Sequence, residues 1–125
     1  MDYINYKDFE KINIRIGKIK AVEPHPKLPD YILLIDLGPV ERDMQIVADL
    51  KDSYSMEDLI GRQVVFIENF KPEVIEGVES QGLLLITHKE GKPVLLQPEK
   101  EVSTGVKVFG IRDTELAHHL KRGDE

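Results

Sequence analysis

Three uncharged hydrogen-bonding side chains and one lysine stand in a single predicted loop near the middle of the chain. Asn69 and Lys71 begin this loop, and Ser80 and Gln81 end it. Apolar runs precede and follow the loop, so we expect buried strands to hold both of its ends, where a β-scaffold usually places a binding site. The amide and hydroxyl groups can bond a polar ligand, but such groups also cap the backbone of their own loop. The residue types leave both interpretations open.

Basic residues are concentrated near the N-terminus, although the net charge of the chain is −6. Residues 7–27 contain six basic and three acidic residues, a local charge of +3, which leaves −9 for the rest of the chain. Indiscriminate nucleic-acid binding requires Lys and Arg to neutralise phosphates, so the overall charge argues against it. A localised phosphate-binding surface is indicated only if these basic side chains share one face; otherwise they are an ordinary solvated surface.

The residue types that most enzymes and metal sites require are absent or badly spaced. The chain has no cysteine, which excludes a disulfide framework, a thiol nucleophile and a thiolate metal site. Two of the four histidines, His118 and His119, are adjacent, so their side chains would diverge on a helix and could not easily share a metal. We find no phosphate loop, nucleophile elbow or dinucleotide-binding glycine motif. The sequence therefore predicts no catalytic residue, no metal and no cofactor, and indicates that the protein is not an enzyme.

Composition predicts a soluble globular protein of one main domain. The chain has 125 residues, of which 41% are hydrophobic and 32% charged, which excludes an unfolded chain. Its apolar runs are far too short to span a membrane, and its N-terminus is polar from the second residue and lacks a signal-peptide core. We therefore expect a cytoplasmic protein with no membrane partner.

The first predicted strand decides which face the basic residues occupy. Isoleucines at every second position from 12 to 16 alternate with polar residues, which is the period of a half-buried strand. The apolar positions change parity at Gly17, so we expect a β-bulge at 17–18. That bulge would place Arg15 and Lys20 on the same outer face of the strand, with Lys18 close by.

The order of the predicted elements indicates the fold class. Further strands are predicted at 31–37, 44–48, 64–68 and 83–87, and a short helix at 55–61. Three strands, a helix and two strands are the order of an all-β OB-fold, a five-stranded Greek-key barrel with a short helix between strands 3 and 4. Extra C-terminal β elements are expected at 94–96 and 106–109. We expect one domain at 1–110 and a tail at 111–125, in which leucines at helical spacing predict a weak amphipathic helix.

Several motifs, in order, resemble a family of tRNA-binding domains. Members of this family occur at the C-terminus of methionyl-tRNA synthetases, as free tRNA-binding proteins, in cytokine-like domains and as CsaA-type export-related chaperones. Residues 8–19 (DFEKINIRIGKI) are similar to the family's opening strand. Residues 69–72 (NFKP), with Gly77 and Ser80, resemble its binding loop, and 94–108 resembles its closing segment. The resemblance extends over roughly 8–110 and is more specific than any of its motifs alone.

The branch of the family and two departures from its pattern bear on what is bound. Residues 29–38 are similar to the CsaA-type branch, whereas 81–85 is closer to the synthetase type. Glu73 and Glu76 stand where tRNA-binding members often carry basic residues. Residues 48–50 read Ala-Asp-Leu where members often read Ser-Gly-Ile. Both departures remove positive or neutral surface from the expected RNA contact.

The resemblance implies a non-catalytic module that holds structured tRNA by its shape. Phosphates would be contacted by Arg15, Lys18, Lys20 and Lys27. Sugar, base or backbone groups would be reached by Asn69, Lys71, Ser80 and Gln81, in the loop between strands 4 and 5. The resemblance also implies a homodimer formed by the material at 3–9 and 94–110.

Two alternatives remain open at the level of sequence. The CsaA resemblance implies an export-related chaperone that binds unfolded or pre-export polypeptide in an exposed apolar groove, with Tyr31, Ile32, Phe66 and Phe70 as candidates. The third alternative is an assembly module that acts in trans on an aminoacyl-tRNA synthetase. The acidic surface favours the chaperone, since it would attract basic unfolded segments and repel RNA outside one patch.

Overall fold

The computed structural model describes residues 1–111, which form short helices and antiparallel strands around one apolar core. The helices are α1 (Tyr6–Glu10) and α2 (Met56–Leu59), with a 3-10 turn at Gly38–Val40. The strands are β1 (Ile14–Pro24), β2 (Tyr31–Asp36), β3 (Met44–Ala48), β4 (Gln63–Ile67), β5 (Glu73–Ile75), β6 (Val78–Ser80), β7 (Leu83–Leu84), β8 (Ile86–Lys89), β9 (Lys92–Leu95) and β10 (Lys107–Val108). The helix predicted in the C-terminal tail lies outside the described residues.

The main sheet closes nearly into a barrel. Its strands follow the order β3-β2-β1-β4-β7, and β10 pairs with the start of β1. The free edge of β3 meets the chain just after β6, where the backbone N–H of Gln81 donates to the carbonyl of Gln45 at 2.7 Å. The backbone N–H of Gln45 in turn donates to the side-chain oxygen of Gln81 at 3.0 Å. With α2 between β3 and β4, this is the OB-like barrel that the element order predicts.

The core lies inside this barrel and is built from alternate positions of its strands. In β2 the residues alternate strictly between buried and half-buried, and Leu33 and Ile35 are fully buried. Val64 and Phe66 of β4, on the other side of β1, are also fully buried, and all four belong to one cluster of buried side chains. Burial of one face per strand is the period-2 pattern seen in the sequence.

The structure corrects the predicted bulge in β1. The pairing of β1 with β2 skips Lys20, which is therefore the extra residue, whereas the pairing with β4 runs through 17–18 without a shift. Gly17 points toward the core, where a β-carbon would lie 2.5 Å from a methyl group of Ile35. Ile16, on the opposite face, is also buried. Buried residues thus occupy both faces of β1 around Gly17. The apolar positions in the sequence can therefore change from even to odd numbers without a bulge at 17–18.

The predicted loop between strands 4 and 5 is itself structured. It contains the hairpin β5–β6, joined by the two-residue turn Glu76–Gly77, in which both residues have positive φ (45° and 84°). Two consecutive left-handed residues are the requirement of a type I′ turn, the tightest connection compatible with strand twist. The predicted fifth strand is also divided, because β7 pairs with β4 whereas β8 pairs with β9 in a separate hairpin.

Helix capping explains both short helices. The hydroxyl of Ser55 accepts a hydrogen bond from the N–H of Asp58 at 3.1 Å, so α2 begins where the sequence predicts. Helix α1 was not predicted, although Asn5 and Asp8 form a capping box in which each side chain bonds the other's backbone N–H. The spacing of that pair is the signal from which α1 could be predicted.

Candidate nucleic-acid interface

The outer face of β1, β2 and β3 forms an open groove of about 240 Å³. Its lining consists of Ala21, Val22, Glu23, Ile32, Leu33, Leu34 and Gln45. The cross-strand register places Ala21, Leu34 and Gln45 side by side in one row. OB-folds bind oligonucleotides across this face and the adjoining loops, so the groove is the candidate interface.

Two elements flank the groove. One is the segment 25–30, which connects β1 to β2, and the other is the hairpin β5–β6, which runs beside the free edge of β3. The base of the hairpin is tied to β3 because the hydroxyl of Ser80 accepts from the N–H of Val47 at 3.1 Å, and the Gln45 side chain donates to the carbonyl of Glu79 at 2.8 Å. The base of the hairpin is therefore fixed to the edge of β3, beside Gln45 of the groove lining.

The predicted ligand-binding side chains of the loop bond the protein's own backbone. The side-chain oxygen of Asn69 accepts from the N–H of Asn13 at 2.8 Å, and its amide nitrogen donates to the carbonyl of Lys11 at 2.7 Å. Ser80 is buried, and both Ser80 and Gln81 bond the edge of β3. Asn69 thus ties the end of β4 to the start of β1, while Ser80 and Gln81 close the barrel at another edge.

Arg15 lies apart from the other predicted basic residues. It pairs with Phe66 across the sheet, whereas Lys18 pairs with Gln63, three positions further along an unshifted register, so Arg15 and Lys18 occupy opposite faces of β1. The guanidinium of Arg15 donates to the carboxylate of Glu68 at 2.7 Å and also to a backbone carbonyl near β10 at 2.9 Å. The expectation that Arg15 shares an outer face with Lys20 is wrong, because the bulge that would bring them together is not at 17–18.

The lysines differ in how free their charges are. Lys20 donates to Asp43 at 2.8 Å, and this hydrogen bond, followed by the charge of Asp43, raises the pKa of Lys20 above its usual value. Lys20 therefore stays protonated at neutral pH but already has an anionic partner. Lys18 is half-buried and pairs with Gln63 of β4. Lys27 is exposed within segment 25–30, and Lys71 is exposed just before the hairpin.

The four apolar candidates for polypeptide binding lie in different environments. Tyr31 and Phe66 belong to the core, whereas Ile32 lines the groove and Phe70 is exposed. Within residues 1–111 there is no cluster of three or more side chains suited to hold a metal ion, and no helix long and apolar enough to cross a membrane.

Sequence reasoning missed His25 as a residue of this site. Its ring is buried and bonds both elements that flank the groove, at Nδ1 to the 25–30 segment and at Nε2 to the hairpin. A histidine between two prolines, Pro24 and Pro26, was the available signal, because a ring held in a rigid turn has few alternative positions. Of the apolar floor of the groove, Ile32 was predicted as a candidate but Leu34 was missed, since period 2 alone does not distinguish an apolar outer face from a second core face.

Comparison with known proteins identifies the domain that this barrel represents. Residues 14–107 match the family described as "Putative tRNA binding domain". A methionine–tRNA ligase of Pyrococcus furiosus is 44% identical over 109 residues, which are 86% of this chain and 15% of the ligase. The corresponding ligase of Archaeoglobus fulgidus is 44% identical over 106 residues, 84% of this chain and 16% of that protein. The chain therefore spans less than a fifth of the length of these curated relatives.

Two solved structures are similar to this chain over the whole length of their own chains. The chaperone CsaA of Bacillus anthracis is 35% identical, with a TM-score of 0.76, and 86% of this chain is covered. A protein from Pyrococcus horikoshii related to methionyl-tRNA synthetase is 31% identical, with a TM-score of 0.78, and 87% of this chain is covered. Both structures have 100% of their own chain covered. The match at 14–107, the identity to these proteins and the OB-like barrel together establish that this chain belongs to the tRNA-binding domain family.

Proposed function

We propose that the chain is a non-catalytic, cytoplasmic module that binds structured tRNA across the groove of β1–β3 and the two elements beside it. The observation that carries this proposal is the family match over 14–107, which contains the groove and both flanking elements. The ligases that share this domain are enzymes acting on tRNA by name, and the chain corresponds to less than a fifth of each. Recognition by shape suits an acidic protein, because its net charge of −6 disfavours polyanions that fit poorly.

Exposed cations at the rim of the groove would supply the phosphate contacts. Lys27 and Lys71 have the exposure that this role requires, and Lys18 and Lys20 lie further along β1, where Lys20 would exchange Asp43 for phosphate. Asn69, Ser80 and Gln81 would act by fixing the backbone that faces the RNA, with their remaining hydrogen-bonding capacity available to it.

The proposal is tested by a salt-titrated binding assay with bulk tRNA. An unstructured RNA of equal length and a denatured protein serve as competing ligands. We expect tRNA to bind more tightly than the unstructured RNA, and the logarithm of its binding constant to fall linearly with the logarithm of salt concentration. Equal binding of both RNAs, or no tRNA binding at low salt, would contradict the proposal.

Removing one exposed lysine should change the salt dependence by about one counterion. Lys27→Ala and Lys71→Ala are each expected to weaken tRNA binding and to reduce the slope of the log–log salt plot by about one. Lys92→Ala, in the β8–β9 hairpin outside the groove, makes the same change in net charge and is the matched control. If all three variants lose the same tRNA affinity and the same salt slope, the effect is one of overall charge, and the lysines beside the groove have no special role.

Binding of unfolded polypeptide is the second candidate, favoured by the similarity to CsaA and by the apolar floor of the groove. Ile32 and Leu34 are half-buried there, and no Lys or Arg of residues 1–111 lines the groove. Capture of the denatured protein in the same assay, with no affinity for tRNA, would favour this function. Action in trans on an aminoacyl-tRNA synthetase is a third candidate, suggested by ligases that carry the domain within one chain.

We further propose that two copies of the chain form a homodimer through the material at 3–9 and 94–110. Large apolar side chains are exposed in and beside these segments. Tyr3 is 88% exposed and Ile4 73% exposed, and Ile86 and Leu96 are exposed as well. Burying them against a second copy would remove this surface from water. Light scattering at micromolar concentration should give twice the 14.3 kDa of one chain, and a mass of 14.3 kDa would exclude the dimer.

A further inference from the structure

The ring of His25 is buried between the two elements that flank the groove, and each of its nitrogens has a defined partner. Nδ1 lies 3.0 Å from the backbone N–H nitrogen of Lys27 and 3.1 Å from that of Leu28. Nε2 lies 3.0 Å from the carbonyl oxygen of Ile75 in β5. The side chain therefore joins segment 25–30 to a hairpin fifty positions away.

These partners determine which nitrogen carries the proton. Two N–H groups point at Nδ1, so Nδ1 must accept, and the proton of the neutral ring is on Nε2. Nε2–H then donates to the carbonyl of Ile75, which leaves every polar atom of the ring satisfied. The 25–30 segment is closed independently, because the N–H of His25 donates to the carbonyl of Asp30 at 2.9 Å.

The bond to Ile75 holds the hairpin next to its turn, at the opposite end of the hairpin from Ser80. The base of the hairpin is held by Ser80 and Glu79, whereas Ile75 immediately precedes the turn Glu76–Gly77. Without His25 the tip of the hairpin and the 25–30 segment would move separately. A ligand that contacts both would then have to order them on binding, which lowers its affinity.

We propose that His25 is a positioning residue that latches the hairpin tip to segment 25–30 and thereby pre-forms the RNA-binding groove. The inference rests on the proposed function for its effect on RNA, but the latch itself can be tested without RNA. A proton on Nδ1 removes the acceptor of two backbone N–H groups, so the neutral ring alone makes all three bonds.

Two substitutions separate the two halves of the latch. His25→Asn places an amide oxygen near the position of Nδ1, where it accepts from the N–H groups of the turn, but it does not reach Ile75. His25→Gln extends an amide to the position of Nε2 but leaves no acceptor at Nδ1. Neither side chain titrates. His88→Asn, at an exposed position of β8, is the matched control.

Amide hydrogen exchange of residues 75–78, measured relative to amides of β2, reports the latch directly. At pH 8 we expect exchange at 75–78 to be about five-fold faster in His25→Asn than in wild type, as for loss of one hydrogen bond. His88→Asn should leave exchange at 75–78 at the wild-type rate. Equal exchange in wild type and His25→Asn would overturn the latch.

Two further measurements complete the test. Nitrogen chemical shifts of the wild-type imidazole, which need no variant, should show a protonated Nε2 and a bare Nδ1 at pH 8; a proton on Nδ1 would overturn the proposal. Affinity for tRNA should fall about five-fold in His25→Asn at pH 8 and stay unchanged in His88→Asn. If wild type binds no tRNA, the proposed function fails while hydrogen exchange still decides the latch.

Discussion

Gly82→Ala is expected to lower the free energy of unfolding by about 2–5 kcal/mol, a large part of the roughly 5–15 kcal/mol that is usual for a folded protein. Gly82 has a φ of +71°, and an added β-carbon would lie against the Phe66 ring and 2.6 Å from the carbonyl oxygen of Ile67. Phe66 is fully buried and cannot move aside without disturbing the core. Gly82 also follows Gln81, so a shift of the backbone there would strain the closure of the barrel at β3.

Gly91→Ala is the matched control for this prediction. Gly91 also has a positive φ, +79°, but no atom lies within 4 Å of the position that its β-carbon would occupy. Gly91→Ala should therefore lower the free energy of unfolding only by the cost of placing alanine in a left-handed backbone conformation, about 1 kcal/mol. Urea unfolding of both variants measures the difference. If the two alanine variants lose equal stability, the contact with Phe66 and Ile67 does not matter and the prediction is wrong.

Arg15→Met is expected to lower the free energy of unfolding by about 3 kcal/mol, because it leaves the Glu68 carboxylate without its partner. The side chain of Glu68 is only 10% exposed and that of Arg15 is 24% exposed, so neither charge is well solvated. Arg15 also bonds the carbonyl of Gly105, which connects β1 to the closing segment. Urea unfolding measures the loss, and Lys20→Met is the control, since the ion pair of Lys20 with Asp43 is exposed and should contribute little.

A double variant distinguishes an ion pair from an RNA contact. Combining Arg15→Met with Glu68→Met removes both half-buried charges and should recover much of the stability that Arg15→Met loses. If Arg15 acts only within the barrel, the folded double variant should bind tRNA with the salt slope of wild type. A slope reduced by about one would instead mean that Arg15 contacts a phosphate, as the resemblance to tRNA-binding domains implies.

These predictions distinguish polar residues that bond the protein's own backbone from polar residues that are exposed to a ligand. Asn69, Ser80 and Gln81 use their side chains to bond backbone groups at places where strands meet. Lys27 and Lys71 are exposed and close to the flanking elements. The three backbone-bonding residues set the shape of the surface, and the two lysines are available to a charged ligand. Substituting the first group is therefore expected to affect stability, and substituting the second to affect the salt dependence of binding.

Local pattern determined the elements of this fold. Alternating isoleucines predict β1, the alternation in 31–37 predicts β2, and Ser55 with Asp58 predicts the start of α2; each is present. These features depend on residues no more than a few positions apart, which is why composition and period suffice to predict them. The order of those elements was then enough to predict the OB-like barrel.

Tertiary structure alone decided what the polar residues do. Arg15 bonds Glu68, 53 positions away; Asn69 bonds Lys11, 58 positions away; and His25 bonds Ile75, 50 positions away. No local period records such a pairing, since each partner is brought near only when the barrel closes. The position of the bulge at Lys20 has the same origin, because it depends on how β1 meets β2 and not on the parity of β1 by itself. The sequence therefore determined the strands and their order, while closure of the barrel decided which charges are paired, which amides bond backbone and which face the groove.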